Sequence, residues 1–284
     1  MSADPFLHQR VAVLGLGLMG GSLALALRGS CAARVGVDPK PETLALALEM
    51  GAVDFATDDL IDALSRADLV VLAAPVRTNL ALLKSIPRAH PGPLMILDLS
   101  STKSEIVAAM NRLPAAYAAV GGHPMCGKET SGLVHADSKL FVNTPFALTE
   151  TDRTTPELRQ VVETLIAIVG AQPLWLAAGT HDRWAAAVSH LPYLTSLALA
   201  DCTPQDAAPL ISSGFQSVSR LAASDPTMML DILTTNRTQL LAALERFQAS
   251  IDSLRETLQN DDEAALLNAL ERARSTYQSL ISPF

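Results

Sequence analysis

VAVLGLGLMGGSLALAL, residues 11–27, joins a β-branched run to a glycine turn and then to an Ala/Leu-rich run. Residues 11–14 are apolar without alternation, which predicts a strand buried on both faces. Residues 20–27 predict a helix. Between them Gly15, Gly17 and Gly20 stand in the spacing G-x-G-x-x-G. Alone that spacing is a weak signal, but between a strand and a helix each glycine has a task. Gly15 makes the tight turn, Gly17 lets backbone approach a pyrophosphate, and Gly20 lets the helix pack on the strand. Leu16, Leu18 and Met19 complete the loop. The helix start then presents free N–H groups and a positive dipole end to a phosphate.

The same unit recurs along the first half. Residues 34–38, 69–73 and 94–98 read as further core strands, and residues 42–50 as a second helix. Leu158, Val161, Val162, Leu165, Ile166 and Val169 recur at helical spacing between Pro156 and Gly170. Residues 172–176 give one last strand, and after Gly179 no strand is expected. The fold class is α/β: an N-terminal Rossmann-type doubly wound parallel sheet with an all-helical C-terminal domain. A chain of 284 residues suits two domains at roughly 150 residues each. The change of pattern sets a dinucleotide-binding domain at 1–178 and a helical substrate and dimerisation domain at 179–284.

In that second part Leu240, Leu244, Phe247, Ile251, Leu254 and Leu258 form a heptad-like seam. It packs either within the chain or against a second copy, and a homodimer through the C-terminal helices is the expectation. Asn260 or Asp261 is expected to cap a last helix carrying Leu266, Leu267, Leu270, Tyr277 and Leu280.

Composition narrows the function classes. Apolar residues make up 49% and charged residues 18%, too apolar for a disordered chain. The net charge of −8 disfavours nucleic acid and anionic membranes as partners. Cys31, Cys126 and Cys202 form neither a disulfide framework nor a zinc spacing, so no metal is expected. No cationic and apolar leader is evident, and apolar runs such as residues 67–76 are too short to span a bilayer. A cytoplasmic location is expected.

Asp38 ends the second strand, where a carboxylate accepts hydrogen bonds from the adenosine ribose. It would repel a 2′-phosphate, so NAD is favoured, with Lys40 leaving NADP as the alternative. Ala74 and Pro75 end the third strand on the same sheet edge. Two further loops belong there: Asp98 to Lys103, DLSSTK, and Gly121 to Gly127, GGHPMCG. Thr102 and Glu105 have capping-box spacing. His123, between glycines and a proline, is unsuited to a core and suited to proton transfer.

GLGLMGGSLA at 15–24, DLSSTK at 98–103, GGHPMCGKETSG at 121–132, HDRWAAAVSHLP at 181–192 and SSGFQSVSRLAASDP at 212–226 together resemble the prephenate/arogenate dehydrogenases of tyrosine biosynthesis. The likeness reaches to about residue 240 and is nearest to the short, monofunctional, cyanobacterial-type arogenate enzymes. It leaves no stretch for a fused mutase or regulatory domain. The resemblance implies oxidative decarboxylation of prephenate or L-arogenate with hydride transfer to NAD(P)+. It makes His123 the acceptor of the ring C4 hydroxyl proton, with Ser101 bonded to that histidine or to the hydroxyl. It makes Arg220 the partner of a substrate carboxylate. Ser189, His190 and Tyr193 belong to the substrate pocket and Asp182 to a polar network at its mouth.

Tyr193 stands where many prephenate users have histidine, and Met229 where many have tryptophan. The first departure favours L-arogenate and both leave the side-chain preference open. A β-hydroxyacid dehydrogenase is the nearest rival, but it relies on a helical lysine, and no lysine follows Lys139. A non-catalytic NAD-sensing protein would keep the glycines and Asp38 without needing His123 and Arg220 together.

Overall fold

The computed structural model describes residues 5–128 and 130–282; Glu129, inside the 121–132 motif, and the extreme termini lie outside the described residues. Strand β1 (Arg10–Leu14) pairs in parallel with β2 (Ala33–Val37) on one side and β4 (Leu69–Leu72) on the other. Beyond them lie β3 (Phe55–Thr57), β5 (Leu94–Asp98) and β6 (Tyr117–Pro124), all parallel. The sheet is completed by β7 (Pro145–Thr149) and β8 (Gln172–Trp175), giving the order β3-β2-β1-β4-β5-β6-β7-β8.

Helices cover both faces, so β4 is buried throughout and β1 from Val11 to Leu14, as their unbroken apolar runs require. One core holds Val13, Leu23, Val71, Leu97, Val161 and Leu165. The other holds Leu14, Val70, Ile96, Ile106 and Met110. The strand order reverses between β1 and β4. Ligands of such sheets settle outside the strand carboxyl ends at that reversal.

The doubly wound sheet is as expected, with additions and corrections. The three-residue β3 is too short to give a pattern. β7 runs antiparallel to β6. A parallel return needs a long crossover. Residues 125–144 supply, among those described, only the short turn Leu133–His135. β8 is parallel to β7 because helix α6, Pro156–Ile168 in the chain, makes a proper crossover. The GGHP run, expected as a loop, continues β6, so His123 sits on a strand. Thr102 caps no helix: its hydroxyl lies 2.9 Å from that of Thr235. The last helix is capped by Asp262, which accepts from the Ala265 amide, and not by Asn260 or Asp261.

From Ala178 onward the described chain is helical. Two compact units result, Met1–Arg237 and Thr238–Phe284. In the second, the seam residues Ile251, Leu254 and Leu258 are exposed in the single chain. No helix among the described residues is long and apolar enough to cross a membrane.

Candidate active site

A cleft of about 580 Å³ opens at the carboxyl ends of β1, β4, β5 and β6. Its floor carries Gly17, Leu18 and Met19 from the glycine turn, and Ala74 and Pro75 after β4. Ser101 lines it after β5 and His123 from the end of β6. Ser189, Ser224, Asp225, Met228 and Met229 supply the helical wall.

The glycine turn is built as the spacing implies. Gly15 has φ +100°, and a Cβ there would come within 2.8 Å of the Ala74 nitrogen. Nothing lies within 4 Å of a Cβ position at Gly17, so backbone is open to a ligand there. Gly20 packs under the turn, inside the helix Leu18–Ala26 (α1). That helix begins with no side-chain cap, leaving its first N–H groups for a ligand. Asp38 is held beside Leu16: its carboxylate accepts the Leu16 amide at 3.1 Å and the Lys40 amide at 3.0 Å. A carboxylate fixed at the end of β2, a bare glycine and an open helix start together fit a dinucleotide.

Beneath the cleft lies a polar network that the sequence did not disclose. Asn79 is fully buried in the helix Val76–Ala89 (α4). It donates to the carbonyls of Leu72 and Ala74 at 3.2 and 2.9 Å and accepts the Ala74 amide, fixing the Ala74–Pro75 turn. It also donates to Ser100, whose hydroxyl donates to Asp98 at 2.6 Å. Lys103 is wholly buried, ion-paired with Asp98, and donates to the Gly122 carbonyl at 2.6 Å. Burial pushes the Lys103 ammonium below its ordinary range, and Asp98 opposes that shift. The pair pins β6 to the loop after β5, one residue ahead of His123.

The helical side is shaped by a π turn. Helix α7 (Ala178–Ala185) runs through the five-residue π turn Ala186–His190 into helix α8 (Leu191–Cys202). Such turns insert a residue into the helical register and cluster at functional sites. Here Ser189 lines the cleft while its neighbour His190 is buried. Asn236 donates to the Asp182 carbonyl at 2.7 Å and lies 3.1 Å from His190 Nδ1. Burial lowers the His190 pKa to about 4.

His123 is brought to two side chains that no local pattern links to it. Its Nδ1 lies 2.9 Å from His181 Nε2, and His181 Nδ1 lies 2.9 Å from Asp182 Oδ1. Burial raises the Asp182 carboxyl, but hydrogen bonds from His181, Ser104 and two backbone amides outweigh it and leave the pKa lowered. Burial and the neighbouring His181, Lys103 and His190 push the His123 pKa well below its usual value. His123 is therefore a neutral imidazole at neutral pH, able to accept a proton.

The other expected residues are placed as follows. Ser101 shares the cleft with His123, whose Nδ1 faces His181. Asp182, His190 and Tyr193 are buried behind the wall rather than on it. Tyr193 packs with Met229 and Ile232, both of which line the cleft. Arg220 is exposed and starts the short turn Arg220–Ala223, which leads directly into Ser224 and Asp225 of the cleft wall.

Residues 23–174 match a family model described as prephenate dehydrogenase, nucleotide-binding domain. Residues 177–272 match one described as prephenate dehydrogenase, dimerization domain. A prephenate dehydrogenase of Bacillus subtilis is 30% identical, covering 93% of this chain and 74% of the relative. The crystal structure of prephenate dehydrogenase from A. aeolicus, in complex with hydroxyphenyl propionate and NAD+, superposes with a TM-score of 0.89 at 29% identity, over 96% of this chain and 98% of that one. The Synechocystis arogenate dehydrogenase structure gives 0.81 at 29% identity, over 96% and 100%.

Proposed function

This chain belongs to the prephenate dehydrogenase family, and from that premise we propose that it oxidatively decarboxylates prephenate or L-arogenate with hydride transfer to NAD(P)+ in tyrosine biosynthesis. The observation that carries this reading is His123: a neutral imidazole on the cleft wall, at the sheet edge that carries the glycine turn.

The residues then take these parts. Gly17, Leu18 and Met19 with the start of α1 hold the pyrophosphate, and Asp38 holds the adenosine ribose. The Ala74–Pro75 turn and Ser101 border the nicotinamide end. NAD+, when bound, supplies the hydride acceptor. His123 takes the proton of the C4 hydroxyl as the C4 hydride leaves, since a hydride leaves a carbon readily only when that carbon bears an alkoxide-like oxygen. Carbon dioxide then leaves because the ring becomes aromatic, so neither a metal nor a Schiff-base lysine is required. Arg220 binds a substrate carboxylate with its planar fork. Ser189 contacts the substrate directly, while His190, Tyr193 and Asp182 hold the pocket wall from behind. Asp38 makes NAD the preferred cofactor, and Lys40 on the cleft rim keeps NADP in view.

We place the functional boundary at 178/179, where the sheet has ended and the helical part begins. The exposed apolar seam of helix α11 (Arg237–Gln259) and the family's dimerization domain support a homodimer through the C-terminal helices. A small-molecule substrate and a cytoplasmic location complete the reading. The test is a spectrophotometric assay crossing prephenate and L-arogenate with NAD+ and NADP+. NAD+-linked turnover of at least one acid is expected. Turnover of neither with either cofactor would overturn the proposal.

A further inference from the structure

Behind His123 stand two side chains closed off from water: His181 is 2% exposed and Asp182 1%. The Asp182 carboxylate accepts the Lys103 amide at 2.7 Å, the Ser104 amide at 2.8 Å, and the Ser104 hydroxyl. An ionised carboxylate can only accept, so the proton shared with His181 sits on His181 Nδ1. With that one proton on Nδ1, His181 turns a bare Nε2 to His123, and a bare ring nitrogen can only accept. The proton between the two rings therefore sits on His123 Nδ1. That leaves His123 Nε2 as the bare nitrogen of the ring.

We infer that His181 and Asp182 form a proton relay behind His123, which fixes His123 Nε2 as the base and moves the proton's charge inward. The inference rests on His123 being the base of the proposed reaction. The substrate O–H bond breaks and its proton joins His123 Nε2. The oxygen keeps the bonding pair and forms the carbonyl as hydride leaves C4 for NAD+. The Nδ1–H bond of His123 breaks in turn, and that proton joins His181 Nε2. His123 ends neutral with its proton on Nε2, and the imidazolium is His181, paired with the Asp182 carboxylate.

The surroundings favour this end state. Besides His181 and Asp182, the charged or titratable groups facing His123 are Lys103 and His190. Lys103 is committed to Asp98 and the Gly122 carbonyl. His190 Nδ1 accepts from Asn236. Neither competes for the His123 Nδ1 proton. A positive charge retained on His123 would be buried without a carboxylate in contact. On His181 it meets one at 2.9 Å.

His181 is thus a positioning residue that also receives the proton, and two measurements test it. In the wild-type protein with NAD+ bound at neutral pH, ring ¹⁵N resonances should show the proton on Nδ1 in both His123 and His181. An Nε2–H form of either ring would overturn the inference, and this reading needs neither a variant nor turnover. His181→Gln offers a carbonyl that accepts the His123 Nδ1–H but cannot take its proton. Its kcat should fall ~10–100-fold, with NAD+ binding within about twofold. The acid limb of its kcat profile should move to lower pH, because isolated His123 then holds the proton. An unchanged kcat, or a lower kcat with an unmoved limb, would refute the relay. If the wild type turns over neither acid, the proposed reaction fails while the tautomers still decide the hydrogen-bond order.

Discussion

Acidification loosens this protein through His190, by an amount that the structure lets one work out. The ring is 1% exposed. Burial lowers its pKa from 6.5 to about 4, with Asp182 opposing and His181 assisting. In the unfolded chain the same ring titrates near 6.5. Between those values the unfolded chain binds a proton that the folded chain refuses. Stability is therefore intact above about pH 6.5 and is lost progressively as pH falls through about 4. The loss attributable to His190 is about 2 kcal/mol at pH 5 and about 3 kcal/mol once both states are protonated. His190→Asn keeps an acceptor for Asn236 and cannot titrate. Urea unfolding of wild type and variant at pH 7.5 and pH 5.0 isolates the effect, because other buried groups, His123 included, largely cancel in the comparison. The stability gap should shift by about 2 kcal/mol toward the variant on acidification. A gap constant to within about 0.5 kcal/mol would refute the claim that His190 is held neutral by burial.

Other substitutions probe other parts of the site. His123→Asn should lower kcat by ~10²–10⁴ while NAD+ titrations stay within twofold; an unchanged kcat removes it as the base. Lys103→Met strands Asp98 without its cation and should destabilise the fold by about 3–5 kcal/mol, seen as a thermal midpoint roughly 10 °C lower. A loss under about 1 kcal/mol would mean the buried pair is not paired in solution. Asp38→Ser with Pro39→Arg should raise the NADP+ to NAD+ ratio of kcat/KM about tenfold or more; no gain with NADP+ counts against Asp38 as the selector. Ile251→Glu on the exposed seam should yield a species near 30.0 kDa by light scattering, the mass of one chain. A dimer unaffected by that charge would place the interface elsewhere.

The parts of the molecule that local sequence decides were legible. The β1–turn–α1 unit follows from periodicity and three glycines, and the helix from Pro156 follows from its apolar spacing, Pro156 and Gly170, while its cap by Thr155 is seen only in the structure. What escaped was decided by tertiary partners. Gly121 and Gly122 look like loop residues because glycine weakens a strand. Yet β7 pairs with them, and a Cβ at Gly122 would meet the Asp98 carbonyl at 2.6 Å. Thr102 has the spacing of a cap but finds Thr235, 133 residues away. His123 announced itself through its glycine and proline flanks. His181 did not, since its bond to His123 spans 58 residues and nothing in a helical sequence predicts that. Asn79 looks like an ordinary surface residue of a helix, and the DLSSTK motif marks Asp98 and Lys103 without showing that the two form a wholly buried ion pair.

The last turn of helix α10 (Pro226–Thr235) and the residue after it reach three separate segments. Arg77, in the first turn of α4, pairs with Asp231 at 3.3 Å and donates to Thr234 at 2.9 Å. Thr235 meets Thr102, and Asn236 meets Asp182 and His190. Residues 231–236 thus act as a caliper whose jaws rest on the first turn of α4, the loop after β5, and α7 with the π turn that follows it. The cofactor floor and the substrate wall are tied together by hydrogen bonds and an ion pair from one short stretch of helix. A small change in that turn, remote from any reacting atom, alters all three settings together, so its variants would lose binding and turnover in step.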